Sequence, residues 1–302
     1  MKLRKIFFIL LLFLSFLSPV FAAVLPQESD QQISDFSLSG YGDKGKKSWD
    51  ISGKSADIFT EVVKLKDVDG NLYDKEENIN LTAKKGDFNK NDGKVHLEED
   101  VVITTSSGAK LTTDSMDWDR KNQLVSTEDK VNIDKDNITI VGIGAHGEPG
   151  LNKVALNKDV RVDINPAASK GKDDDLALKD KVTITCDGKL IVDYDKNIAT
   201  FYDNVKVERP DLTIYSDKMD LYFVRESAGS DADPAAKKTD KSMASSIDKI
   251  VASGNVKIVR GENISYSEVA EYKAADKKII LSGRPKLVFY STGEFKDASF
   301  GD

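Results

Sequence analysis

The chain has 302 residues but only one cysteine and two histidines. A single thiol, that of Cys186, excludes an intramolecular disulfide framework and a zinc site built from several thiolates. His96 and His146 are too few for a histidine-rich metal site, and neither is accompanied by residues that would complete a catalytic triad. The sequence therefore predicts a protein that is not an enzyme and that holds no metal or cofactor.

Basic residues are also fewer than acidic residues. Lys and Arg number 44 against 51 Asp and Glu, which gives a formal net charge of −7. Nucleic-acid binding needs a basic surface to meet the phosphates, so no nucleic-acid partner is expected. Hydrophobic residues make up 39% and charged residues 31%, a composition typical of a soluble protein with enough apolar material for a core.

Only one long hydrophobic run occurs, and it lies at the N-terminus. Lys2, Arg4 and Lys5 precede an uncharged stretch over 6–17, and Pro19 follows before Val20-Phe21-Ala22. A basic start, a short apolar run and a small-residue site are typical of a secretory signal peptide over 1–22. Residues 6–25 are also long enough for an uncleaved membrane anchor. Both alternatives direct the rest of the chain out of the cytoplasm.

From residue 33 onward, apolar and polar residues alternate with a period of two, and helical periodicity is nearly absent. Asp-Gly, Asn-Asp-Gly and Asp-Lys-Asn clusters, which favour hairpin turns, separate the alternating segments. Such strands predict antiparallel sheets with one apolar face. The clearest segments are 94–98, 130–134, 159–164, 181–185, 204–208 and 255–259.

These strands repeat along the chain. A Val-x-(Ile/Val) unit opens at Val101, Val131, Val160, Val205 and Val256, with the two later intervals lengthened by polar insertions. A second signature recurs as TDSMDW over 113–118, SDKMDL over 216–221 and SEVAEY over 267–272. The repeats predict strand pairs that stack and bury a shared apolar face.

Two low-complexity segments divide the chain. Residues 166–175 have the composition of a linker, and residues 226–246 that of a disordered insertion. We therefore predict one β domain over 33–165 and a second over 176–300.

Three motifs resemble ligand sites but fit β structure better. Gly142-x-Gly144-x-x-Gly147 matches a dinucleotide fingerprint, yet Glu148-Pro149-Gly150 follows where a helix should begin. The acidic run 87–93 with Glu98 resembles a calcium loop, but its glycine comes one position late and no helices flank it. We predict a glycine-rich strand crossing for the first motif, and hairpin turns both for 87–93 and for the similar run 67–71.

Several motifs of the first domain resemble the LptC family of periplasmic lipopolysaccharide-export proteins. They are Phe36-x-Leu38-x-Gly40-Tyr41, Trp49-x-Ile51-x-Gly53-x-Ser55-Ala56, Leu81-Thr82-Ala83, the block 111–119, Ile140-x-Gly142-x-Gly144 and DVRVDI from Asp159. The second domain is similar to the OstA/LptA-like superfamily through SDKMDL and ASGNVKIV. A typical LptC relative stops after one such domain, so the second domain is a departure.

The resemblance implies two twisted, partly open antiparallel β-jellyrolls and passive carriage of lipid through an apolar groove between sheets. It implies a periplasmic location, with acyl chains of lipopolysaccharide as ligand. The implied partners are an inner-membrane ABC transporter complex and neighbouring β-jellyroll proteins, which dock through open sheet edges and continue a bridge to the outer membrane. Tyr41 and Trp49 are placed near the entrance, and Lys135 is taken as an outward-facing position.

The groove is predicted from apolar strand residues, each of which could equally be plain core. They are Val95, Leu97, Val101, Ile103, Leu111, Met116, Trp118, Val131, Ile133, Val160, Val162, Val205, Val207, Met219, Leu221, Val256 and Ile258. Two other classes remain open. One is a structural or surface β-repeat protein with a fully packed core. The other is a carbohydrate-binding β-sandwich, which would need exposed aromatic rows although aromatics make up only 8% of the chain.

Overall fold

A computed structural model describes residues 29–42, 45–73, 78–119, 121–122, 124–135, 137–147, 153–165, 180–193, 196–223, 247–273, 275 and 278–289. The predicted N-terminal segment, linker and insertion lie outside these residues. Within them every regular element is a β-strand. The strands are β1 Gln31–Tyr41, β2 Lys47–Ile58, β3 Val62–Tyr73, β4 Asn78–Asn89, β5 Lys94–Thr105, β6 Lys110–Asp119, β7 Leu124–Lys135, β8 Ile138–Gly147, β9 Lys153–Ile164, β10 Val182–Cys186, β11 Leu190–Asp193, β12 Ile198–Arg209, β13 Leu212–Phe223, β14 Ile247–Arg260, β15 Asn263–Lys273, β16 Lys278–Ser282 and β17 Lys286–Val288.

The described strands pair antiparallel, which confirms the prediction from alternation, and all seventeen belong to one sheet. From β1 to β9 each strand pairs with the next along the chain. β10 and β11 lie end to end, and both pair with β9 on one side and β12 on the other. The meander continues through β15, which pairs with both β16 and β17. The pairing therefore runs without a break from the first predicted domain into the second.

Many of the long strands are interrupted near their middle, and the interruptions align across the sheet. The pairing register shifts between Glu98 and Val101 in β5, between Tyr202 and Val205 in β12, and between Ser253 and Val256 in β14. Extra residues of this kind bend a strand and increase its twist. Non-glycine residues with positive φ mark many of the bends: Asp35, Asp67, Glu99, Asp100, Asp159, Asp203, Asn204 and Asn255. We call this line of bends the crease.

The crease separates two halves of the sheet that fold toward each other. Side chains beside it on one face are almost inaccessible, with Val101 and Val131 at 0% exposure. A single flat sheet would leave that face open to water, so the two halves must cover it. The architecture is a β-jellyroll in which one set of strands supplies both layers. We call the covered side the inner face.

Two apolar clusters fill the inner face. One gathers residues of β1 to β6, including Phe36, Val68 and Met116. The larger extends from Val131 in β7 to Ala270 in β15 and contains Leu156 and Leu190, which pair across the junction between β9 and β11. Leu111 packs against both clusters.

Candidate functional site

Small side chains line the inside of the crease. Their register partners alternate between valine on one strand and a smaller residue on the next. The partners are Val68 and Ala83, Val101 and Thr113, Val131 and Gly142, Val160 and Cys186, Val205 and Ser216, and Val256 and Ser267. Each is buried. Because the two halves of the sheet approach each other most closely here, this line accepts only short side chains.

Two residues along each strand from the crease, a second row of inner-face residues crosses the sheet, and all but Ser265 are apolar. We call it the inner row. Its members are direct register partners from one strand to the next: Leu38, Ile51, Gly70, Leu81, Ile103, Leu111, Ile133, Ile140, Val162, Ile184, Val207, Ile214, Ile258, Ser265 and Leu287. At about 4.8 Å between strands, the row extends roughly 65 Å along the sheet. None of its side chains is ionisable.

Accessibility changes along the inner row. Ile51, Leu81, Ile103 and Ile133 are half-buried, so this part of the interior is partly open. From Ile140 to Ile258 the row is more closed, with Val162 at 2% exposure and Ile184 at 3%. The interior is therefore more open over the first seven strands than at the junction of the two predicted domains.

Every predicted groove residue lies on the inner face. Val101, Val131, Val160, Val205 and Val256 line the crease, and the inner row contains Ile103, Leu111, Ile133, Val162, Val207 and Ile258. The other half of the sheet contributes Val95, Leu97, Met116, Trp118, Met219 and Leu221. The structure thus gathers the predicted residues on one surface, divided between the two clusters; their contact with lipid stays a prediction.

Sequence reasoning missed inner-face residues on the intervening strands. Leu81, Ile140, Ile184 and Ile214 occupy the inner row without belonging to a Val-x-(Ile/Val) unit. Their own period-two alternation was the available signal. Leu190 lies on a four-residue strand, which is too short for alternation to reveal.

Two sequence expectations are wrong. Lys135 is two residues after Ile133 and four after Val131, so its side chain lies on the same face of β7 as theirs. It also pairs with buried Ile138. Lys135 therefore belongs to the inner side of β7 and not to the outer side. Residues 67–71 lie inside β3 and form no hairpin turn. A side chain at Gly70 would contact Ile51, so this glycine permits close packing between neighbouring strands.

The glycine-rich motif and the acidic run 87–93 form parts of strands and turns. Gly142 and Gly144 lie within β8, where a side chain at Gly142 would collide with Leu156. Residues 89–93 turn between β4 and β5, with the Asn89 side chain accepting a hydrogen bond from the Asn91 backbone. Trp49 lies against Gly40, and Tyr41 is 66% exposed at the end of β1.

The chemistry of the interior is that of an apolar surface. Burial raises the pKa of the Cys186 thiol to about 11, which keeps it protonated and unreactive. Over the described part of the chain, no group of three or more His, Cys, Asp or Glu could hold a metal ion. The same residues include no helix long and apolar enough to cross a membrane.

A long antiparallel sheet folded along one crease, with an apolar inner face over its described strands, defines a protein of the β-jellyroll class. Residues 6–165 match the family model of LptC-related lipopolysaccharide-assembly proteins, and residues 183–299 match that of the LptA/LptD N-terminal lipopolysaccharide-transport proteins. The first match covers more than half of the chain, which therefore belongs to the LptC-related family. No curated protein matches the chain in sequence.

Proposed function

We propose that this protein carries lipopolysaccharide passively, with the acyl chains held between the two halves of the folded sheet. The observation that supports the proposal best is the inner row, which runs from Leu38 to Leu287 with no ionisable side chain. Sheltering an acyl chain from water is worth about 0.8 kcal/mol per methylene group. The charged sugar head group would remain in water at the open side, where Ile51, Leu81 and Ile103 are half-buried.

The two ends of the sheet suit docking to neighbouring proteins. Among the described strands, β1 pairs only with β2, and β16 and β17 pair only with β15. Both ends expose apolar side chains, with Leu38 at 60% and Leu287 at 54% exposure. Free edges can accept another strand, so we propose that one end meets an inner-membrane transporter, which supplies the energy of ATP hydrolysis, and the other meets the next bridge module.

We call residues 6–165 the first region and residues 183–299 the second region. The second region would act as a bridge module within the same chain. β9 belongs to the region that matches LptC, and β12 to the region that matches LptA and LptD. Through β10 and β11 these strands share one sheet, and Val162 and Ile184 continue the inner row across the join. A lipid leaving the first region would therefore meet apolar surface without crossing between molecules.

Photo-crosslinking in cells that make lipopolysaccharide tests the proposal. A benzophenone amino acid replaces Ile133 or Leu221 on the inner face. Matched controls place it at the adjacent outer positions, Asn132 and Tyr222. We expect lipid adducts at the two inner positions only, and we expect them to require ATP. If no position forms lipid adducts although the protein is folded and present at normal levels, the alternative of a packed β scaffold is favoured. If inner and outer positions form equal amounts of adduct, an internal lipid path is excluded.

A further inference from the structure

A row of basic and aromatic side chains crosses the outer face of the second region. Its members alternate in sequence with inner-face residues, so they point away from the apolar interior. In register order they are Arg161, Lys206, Tyr215, Lys257, Tyr266 and Lys286, with one neutral member, Thr185, between Arg161 and Lys206. We call this set the basic–aromatic row. It extends over β9, β10, β12, β13, β14, β15 and β17, about 29 Å at 4.8 Å per strand.

The tyrosines of this row stand between cations. The Lys206 and Lys257 ammonium groups lie 5.9 Å and 5.6 Å from the centre of the Tyr215 ring, within the range of a cation–π contact. Tyr215 is 38% exposed and Tyr266 is 40% exposed. Both rings therefore present apolar area to solvent beside positive charge.

The positive charge is concentrated toward the C-terminal end of the row. Arg161 is paired with Asp163 at 2.8 Å, and Lys206 with Glu208 at 2.6 Å. Lys257 and Lys286 form no ion pair with any residue that the structure describes. In a chain of net charge −7, two such lysines on one line mark a local site for a negative partner.

We propose that the basic–aromatic row binds an extended anionic polysaccharide laid across the strands. Its cations recur at every second strand, about 10 Å apart, which is the scale of one disaccharide in an extended glycan. A carboxylate on each disaccharide would meet a lysine, and the sugar between two lysines would lie over a tyrosine. A membrane fits less well because the row offers no large aliphatic side chain for insertion. This inference concerns the outer face and does not depend on lipid carriage.

Binding of the full-length chain to alginate, a linear polysaccharide with a carboxylate on every sugar, tests the proposal by calorimetry. The double variant Lys257→Gln/Lys286→Gln should weaken alginate binding at least tenfold. The control Lys249→Gln/Lys273→Gln removes two lysines from the outer face of the other half of the sheet, where they are register partners and Lys273 pairs with Glu271 at 3.2 Å. It should weaken binding less than twofold.

A second pair of measurements separates glycan recognition from simple charge attraction. Tyr215→Thr/Tyr266→Thr should weaken binding to alginate but leave binding to polyglutamate unchanged. Circular dichroism verifies that each variant is folded. The proposal is overturned if both lysine pairs weaken binding equally, if polyglutamate binds as tightly as alginate, if phosphatidylglycerol vesicles are preferred, or if the wild-type chain does not bind alginate at low salt.

Discussion

At the scale of single residues, the crease explains why the recurring sequence signature has its particular form. Thr113, Ser216 and Ser267 each begin the signature and are at most 9% exposed inside the crease. An exposed acid follows at Asp114, Asp217 and Glu268, on the outside of the bend. A short hydroxyl residue fits where the halves of the sheet meet, and an acid remains in water where the backbone turns outward.

A second residue-scale feature is the network around Asp50 on the outer face of β2. Its carboxylate accepts hydrogen bonds from Lys47 at 2.7 Å, Asn71 at 2.9 Å and Tyr73 at 2.8 Å. These bonds, with the Lys47 bond as the largest cause, lower the pKa of Asp50 to about 2. They tie β2 to β3 near the end of the sheet that carries Tyr41.

The Asp50 network should make stability depend on acid pH. Because the folded pKa lies below the ordinary value of 3.8, the stabilisation is complete above pH 4 and is lost as the pH falls toward 2. Urea unfolding at pH 7, 4, 3 and 2.5 should show a stability difference between the wild type and Asp50→Asn that shrinks over this interval. The exposed acid Asp114, changed to Asn, is the control. A difference that stays constant from pH 7 to 2.5 would contradict the assignment.

At the scale of the strands, polar contacts between neighbouring bends hold the crease in line. The Asn204 side chain donates to Asp187 at 2.7 Å, and that of Asn255 donates to Asp217 at 2.9 Å. Asn204 and Asn255 both have positive φ, a conformation that asparagine tolerates better than most residues. The Asp-Asn-Val and Gly-Asn-Val sequences of β12 and β14 therefore encode bends inside strands.

Gly254 allows a direct test of the crease. Its φ is +77°, and a Cβ there would lie 2.4 Å from the Asp217 carboxylate. Gly254→Ala should lower the free energy of unfolding by about 2–4 kcal/mol, from backbone strain and overpacking together. Gly261 also has positive φ but has no neighbour within 4 Å. Gly261→Ala should cost only about 1–2 kcal/mol. Equal losses in chemical denaturation would show that packing at the bend is unimportant.

The strands themselves could be predicted from alternation, but the bends inside them could not. The sequence places valines at the start of each unit, whereas Val131 and Val205 lie in the middle of strands β7 and β12. Asn, Asp and Gly are the signals of a hairpin turn and also of a mid-strand bend. Local sequence does not distinguish these two uses, so residues 67–71 have the pattern of a turn although they lie inside β3.

At the scale of the whole molecule, the continuity of the sheet is the feature that could not be predicted from the sequence. The composition of 166–175 suggests two separate domains, and the boundaries 33–165 and 176–300 stay predictions. The pairing of β9 with β10 and β11 joins strands on the two sides of the predicted linker, and no local sequence pattern encodes it. The groove residues were predictable as a set because alternate residues of a strand point to the same face of the sheet. Which of them lie beside the crease depends on the folding of the sheet.

One apolar cluster containing residues from both regions predicts that the regions unfold together. Both tryptophans, Trp49 and Trp118, lie in the first region, and the single cysteine, Cys186, lies buried in the second. Tryptophan fluorescence and thiol labelling in increasing urea therefore report on different parts of the chain. We expect coincident transitions, with Cys186 unreactive in the native state.

A substitution remote from the tryptophans makes this last prediction decisive. Met219 on β13 is 1% exposed and belongs to the larger cluster. Met219→Ala should destabilise by roughly 2–5 kcal/mol, and a cooperative sheet would shift the fluorescence midpoint as far as the thiol midpoint. Ile279→Ala, at a 40% exposed position, is the control and should move neither. A shift of the thiol transition alone would mean that the two regions fold independently and that their shared strands are a weak contact. Coincident shifts would show that β9 to β12 join them into one structural unit, which a continuous apolar path across the join requires.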